Sequence, residues 1–162
     1  MGERWPEPVE RVASFLREAG VEGRVEEFEA GTPTAEDAAR AVGCKLAQIV
    51  KSLVFDCDGA PVVVLVPGDR RADGKKVAQA VGCRRATIAG PDEVRAATGF
   101  EPGAVAPFPL PRVSRVLIDR QILVHERVWI GAGSPSHMAT LAPSDLVRLA
   151  KAEPMDAVAE AA

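Results

Sequence analysis

Apolar positions recur first at a helical period and then at a strand period. Val9, Val12, Ala13 and Leu16 stand at i, i+3, i+4 and i+7, which predicts a helix over residues 7–19 with Gly20 closing it. Residues 25–28 are a short strand candidate. Thr34-Ala35-Glu36-Asp37 matches a capping box in which the Thr34 hydroxyl accepts from first-turn amides; the helix it opens runs to Val42 and stops at Gly43. The pattern then turns to strands. IVKSLVF (49–55), Asp58-Gly59 and PVVVLVP (61–67) read as a hairpin, and the unbroken valine run predicts a strand buried on both faces. Asp73 is placed to cap a helix through Val81, stopped by Gly82. A short strand at 86–88 follows, then a helix with Pro91 at its first position and its end near Thr98-Gly99.

The stretch GFEPGAVAPFPLP (99–111) carries four prolines and is expected to be irregular. Strands are expected at 116–119 and 128–130. A glycine-rich loop over 131–137 should join the second of these to a strand at 138–141. Ser144 is the expected cap of a last helix bearing Leu146, Val147 and Leu149, and the Ala/Glu-rich tail at 153–162 is expected to fray. No repeat and no interdomain linker interrupts the pattern. The expectation is one domain over 1–162, with its core at about 8–152, of mixed α/β (α+β) class.

A chain of 162 residues and 17.1 kDa suits one domain of ordinary size. No apolar run approaches the roughly 18–20 residues that cross a bilayer, and the charged, proline-broken N-terminus does not read as a signal peptide. A cytoplasmic protein without membrane partners is expected. The net charge of −3 argues against broad phosphate neutralisation, hence against DNA as a partner, but leaves room for a local basic pocket holding one nucleic-acid end. Cys44, Cys57 and Cys83 are odd in number and far apart, which speaks against a disulfide framework or structural zinc and for small buried hydrophobes. Two histidines, His125 and His137, cannot build a multi-histidine metal site, and no metal is expected.

Four features carry candidate chemistry. Lys51 interrupts the apolar run IVKSLVF, and spacing leaves two readings open: a lysine on an edge or solvated face, or one pointing into a cleft to meet a phosphate or carboxylate. Gly103-Ala104-Val105-Ala106-Pro107 is a GxxxP loop, read either as a rigid surface loop or as a stiff frame whose amides meet a carbonyl or oxyanion. Gly131-Ala132-Gly133-Ser134 lacks a following helix, so it is neither a dinucleotide fingerprint nor a Walker loop; His137 beside it is open between a satisfied histidine and a ligand. No nucleophile elbow is present. Arg70, Arg71 and Lys76 form a polar cluster, a solvated helix start or a phosphate-facing patch.

In this order the segments TAEDAARAVGC, IVKSLVF, PVVVLVPGDRRADGKKVAQAVGC, ATGFEPGAVAPF and DRQILVHERVWIGAGSPSHMATLAPSDLVRL resemble the YbaK/ProX family of aminoacyl-tRNA editing domains, also found inserted in bacterial prolyl-tRNA synthetases. The resemblance implies a mostly antiparallel, barrel-like sheet flanked by helices. It also implies hydrolysis of the ester between a wrong amino acid and the 3′ acceptor end of tRNA, with no cofactor. With no synthetase catalytic domain in the chain, action in trans is expected, on tRNA-Pro carrying Ala, Cys or another small residue. A synthetase or elongation factor is an expected partner, and a non-catalytic module binding a tRNA end is the alternative.

The same resemblance places Lys51, Gly103 and Pro107 in the catalytic machinery. It makes Thr34, Ser52, Ala104, Val105, Ala106, Gly131, Gly133, Ser134 and His137 candidates for substrate binding. His137 matches a histidine that some relatives hold against the substrate; where others carry an acidic residue, this chain has Met138.

Overall fold

The valine-rich hairpin forms the middle of the molecule. In the computed structural model, which describes residues 5–21, 24–28 and 34–158, strands β2 (Ile49–Cys57) and β3 (Ala60–Pro67) pair antiparallel without a break from Val50↔Pro67 to Cys57↔Ala60. Asp58 and Gly59 turn between them with φ of 53° and 93°, the left-handed pair that suits the twist of a two-residue hairpin. Val63 and Leu65 face one apolar cluster while Val62, Val64 and Val66 face another. That two-sided burial is why the strand reads as a continuous apolar run rather than an alternation.

Around this hairpin lie helices α1 (Glu7–Glu18), α2 (Ala35–Val42), α3 (Gly74–Val81), α4 (Pro91–Thr98) and α5 (Pro143–Ala150). The remaining strands are β1 (Arg24–Glu27), β4 (Ala86–Ile88), β5 (Arg115–Asp119), β6 (Val128–Ser134), β7 (His137–Leu141) and β8 (Ala152–Met155). They form one sheet in the order β1-β7-β6-β2-β3-β5-β8, with β4 beside β2. The class is mixed α/β and the sheet is mostly antiparallel, as expected. The β1/β7, β2/β3, β2/β4 and β6/β7 ladders are antiparallel, and the β2/β6, β3/β5 and β5/β8 ladders are parallel. Among the described residues no ladder joins β1 to β8.

Helix ends are set by local chemistry. The Thr34 hydroxyl accepts from the Asp37 amide and the Asp73 carboxylate accepts from the Lys75 and Lys76 amides, while Gly43, Gly82 and Gly99 end their helices in the left-handed conformation. Ser144 does not cap α5. Ala142 holds that position without a side-chain bond, and Pro143, with its φ preset for a helix, starts the first turn. The expected loop at 131–137 is also shorter than its glycines suggested. β6 continues through a bulge between Gly131 and Ser134, and β7 resumes at His137.

The tail is the largest correction. Residues 152–155 form β8 and pair parallel with β5, and Ala157 and Val158 are buried; 159–162 lie outside the described residues. Asp119, 1% exposed, accepts from the Gln121 amide (2.9 Å) and the Ala157 amide (2.8 Å). Lys76 Nζ donates to the Val158 carbonyl at 2.8 Å. Asp119→Ala strands the buried Ala157 amide and frees the part-buried Gln121 amide, so a stability loss of about 1–3 kcal/mol is expected in urea unfolding, with faster hydrogen exchange confined at first to 152–158. Unchanged exchange there would show that the tail is held by apolar contacts alone.

Candidate active site

Lys51 sits in β2, which is flanked by β3 and β6 and is therefore not an edge strand. Its half-buried side chain lines a cavity of about 230 Å³. Nζ donates to the Arg70 carbonyl at 2.9 Å. Burial depresses its pKa below the ordinary lysine value; the charges of Glu36 and Asp69 oppose that shift, and Arg71 adds to it. Of the two readings open in the sequence, the placement is that of a lysine in a cleft.

Four parts of the fold meet at this cavity. The start of α2 contributes Thr34, Ala35 and Ala38. β2 contributes Lys51 and Ser52 with apolar neighbours Ile49, Val50 and Leu53. The GxxxP loop contributes Gly103 and Val105. The β6–β7 hairpin contributes Gly131, Ser134, His137 and Met138. The cavity thus gathers Thr34, Lys51, Ser52, Gly103, Val105, Gly131, Ser134 and His137 from the sequence candidates. The apolar lining was missed because nothing in a sequence separates an alanine or leucine on a cavity wall from one in the core. The small Ala35 and Ala38 on α2 carried the only usable signal, a helix face without bulk.

The GxxxP loop divides. Gly103 takes the left-handed conformation (φ +82°) and turns the chain toward the cavity. The Ala104 amide is already spent on the Glu101 carbonyl (2.9 Å), whereas the Val105 amide has no protein acceptor among the described residues. Ala104 and Ala106 are buried behind the wall, and Pro107 borders a separate cleft with Arg11, Phe15 and Pro109. Pro107 therefore does not reach the cavity; its ring stiffens the loop from behind.

The two glycines of the β6–β7 hairpin differ in task. A Cβ on Gly131 would lie 3.2 Å from the Val105 carbonyl oxygen, so its absence lets the GxxxP loop close on β6. A Cβ on Gly133 (φ +100°) would lie 2.7 Å from the Pro8 backbone, so Gly133 admits the start of α1 rather than walling the cavity. Ser134 Oγ lies 2.5 Å from His137 Nδ1, and His137 is 2% exposed. Ser52 Oγ is buried without a hydrogen-bond partner among the described residues.

The basic candidates separate as well. Arg70 supplies the carbonyl that holds Lys51, and its guanidinium reaches Gln121 Oε1 at 3.3 Å. Arg71 is exposed. Lys76 is not phosphate-facing: its ammonium is bound to the tail at Val158. Among the described residues no helix is long and apolar enough to cross a membrane.

Residues 29–149 match the model of the aminoacyl-tRNA editing domain. YwhH of Bacillus subtilis strain 168 is 36% identical over 126 residues, covering 77% of this chain and 80% of that protein. The proline–tRNA ligase of Nitratidesulfovibrio vulgaris strain DP4 is 35% identical over 92 residues, 57% of this chain but only 16% of the ligase. Among solved structures, a crystal structure described as a candidate trans-editing enzyme for prolyl-tRNA synthetase superposes with a TM-score of 0.90 at 34% identity, covering 97% of this chain and all of that one. With the motifs in order and the cavity they enclose, this chain belongs to the aminoacyl-tRNA editing domain family and is an enzyme of the aminoacyl-tRNA deacylase class.

Proposed function

We propose that this protein acts in trans on tRNA-Pro charged with a small amino acid such as Ala or Cys, hydrolysing the ester at the 3′ acceptor end. One observation carries the reading: Lys51 and Val105, whose amide has no protein acceptor among the described residues, line the same cavity. An aminoacyl ester is already activated, so positioning and charge stabilisation suffice. Lys51 anchors the terminal phosphate or ribose, and the Val105 amide receives the carbonyl oxygen as it gains charge. The substrate completes the chemistry, either through a ribose 2′-hydroxyl that orients the attacking water or through its own thiol. Ala35, Ala38 and Gly131 leave space for a small side chain, and Ser134 and His137 line the same cavity.

A deacylation panel tests this. Ala-, Cys-, Ser- and Pro-tRNA-Pro, with Ala-tRNA-Ala and Cys-tRNA-Cys, are each mixed with the protein, and release of labelled amino acid is followed. Faster release from Ala- or Cys-tRNA-Pro than from Pro-tRNA-Pro is expected. Equal rates for all six, or for none above background, would remove the assignment. The net charge of −3 favours weak tRNA affinity and recruitment through a synthetase or elongation factor. Tight tRNA binding by the isolated protein, with no synthetase retained on it, would count against recruitment.

A further inference from the structure

One carboxylate outside the cavity wall points at a group on it. His137 Nε2 is buried and, among the described residues, has no partner of hydrogen-bond geometry; Glu27 Oε2, 3.3 Å away, is the acceptor within reach. The Trp5 ring stands edge-on to the imidazole at 5.8 Å between centroids. Register explains the meeting. Glu27 on β1 is the direct cross-strand partner of His137 on β7, so both side chains leave the same face of the ladder.

Two hydroxyls stand on the other side of the ring. Ser134 Oγ accepts from the Ser136 amide at 3.1 Å and lies 2.5 Å from His137 Nδ1 and 3.3 Å from Ser136 Oγ, so its proton has two acceptors within reach, Nδ1 the nearer. Ser136 Oγ, at 3.4 Å from Nδ1, is a longer second contact. The Glu27 carboxylate can only accept, so it favours the neutral tautomer with the N–H at Nε2 and leaves Nδ1 to accept from Ser134 Oγ.

We propose that Glu27 is a positioning residue of the editing site: its carboxylate holds the Nε2–H tautomer and the orientation of His137, and so fixes the Ser134 hydroxyl on the cavity wall. This rests on the deacylase function proposed above. Ser134 donates its proton inward to Nδ1 and keeps a lone pair for a hydrogen-bond donor on the substrate. Without an acceptor at Glu27 the buried Nε2–H is orphaned, the other tautomer becomes competitive, and Ser134 loses its acceptor at Nδ1.

Two readouts test it. Long-range ¹H–¹⁵N NMR at alkaline pH reports which imidazole nitrogen carries the proton. The chain has two histidines, so a His125→Gln variant assigns the signals. The wild type should show the Nε2–H form at His137. Glu27→Ala should mix the tautomers and lower the single-turnover deacylation rate by about 10- to 100-fold, the range typical of groups that orient a functional imidazole. Glu27→Gln, whose amide oxygen accepts the same proton, should recover both. Glu26→Ala, one position away on the same edge strand and opposite Met138, should change neither.

The proposal is overturned if Glu27→Ala keeps both tautomer and rate, if Glu27→Gln is as impaired as Glu27→Ala, or if Glu26→Ala does equal damage. A wild type inactive on every charged tRNA would instead overturn the deacylase function, and the tautomer spectra would still decide whether Glu27 holds His137.

Discussion

Lys51→Ala is expected to lower deacylation by at least about 100-fold while the protein stays folded, the scale seen when a charge-stabilising or anchoring group is removed from a preorganised site. The fold should tolerate the change. Lys51 is half-buried and, among the described residues, makes one hydrogen bond, to the Arg70 carbonyl, worth about 1 kcal/mol, and alanine removes a half-buried charge whose desolvation already works against it. Lys51→Arg should not restore the rate, because a planar fork on a longer stem does not place a point charge at the same spot.

The pH dependence has a defined sign. The pKa of Lys51 is depressed by burial, so its ammonium is present at low and neutral pH and is lost as pH rises through a value below that of an ordinary lysine. Activity that depends on the charge should therefore fall on the alkaline side, earlier than an exposed lysine would allow. Wild-type turnover in Lys51→Ala, at unchanged unfolding midpoint, would take the lysine out of the mechanism.

Gly131→Val is the second large effect expected, and it acts through the backbone. The valine Cβ would stand 3.2 Å from the Val105 carbonyl oxygen before its methyl groups are counted, and a backbone atom cannot swing aside as a side-chain tip can. The GxxxP loop must move outward, taking the Val105 amide with it. A displacement of about 1 Å costs on the order of 100-fold when the amide is aimed at a developing charge. Overpacking between β6 and the loop should cost about 1–3 kcal/mol, visible in a thermal melt but short of unfolding. Single-turnover rates beside the melt separate the two effects. A variant that loses stability but keeps its rate would show that the loop is a wall and not a source of catalytic amides.

The GxxxP loop illustrates how far its own residues could be read. Glycine and proline spacing marked it as stiff and oriented, and Gly103 does adopt the left-handed turn. Which amide remains free was not legible, because the Ala104 amide is satisfied by Glu101 in a local turn, while Pro107 faces a different cleft. The same limit applies to Glu27. Nothing in the sequence separates Glu27 from Glu26 beside it until β1 and β7 come into register across more than a hundred residues.

What the sequence determined by itself is what is decided within one turn of chain. The Thr34 and Asp73 caps, the glycine stops at Gly43, Gly82 and Gly99, the Asp58-Gly59 reversal and the doubly buried valine strand all follow from short-range sterics, capping and apolar pattern. The family motifs belong here too, since they are local strings in a fixed order. The tertiary structure alone decided the parallel ladders, the docking of the tail on Asp119, the direction of Lys51 and the partners of His137. Each of these depends on which distant segment arrives beside a residue. Period and propensity describe a residue's own backbone and the face it prefers to bury, but carry no record of the group that will stand opposite it.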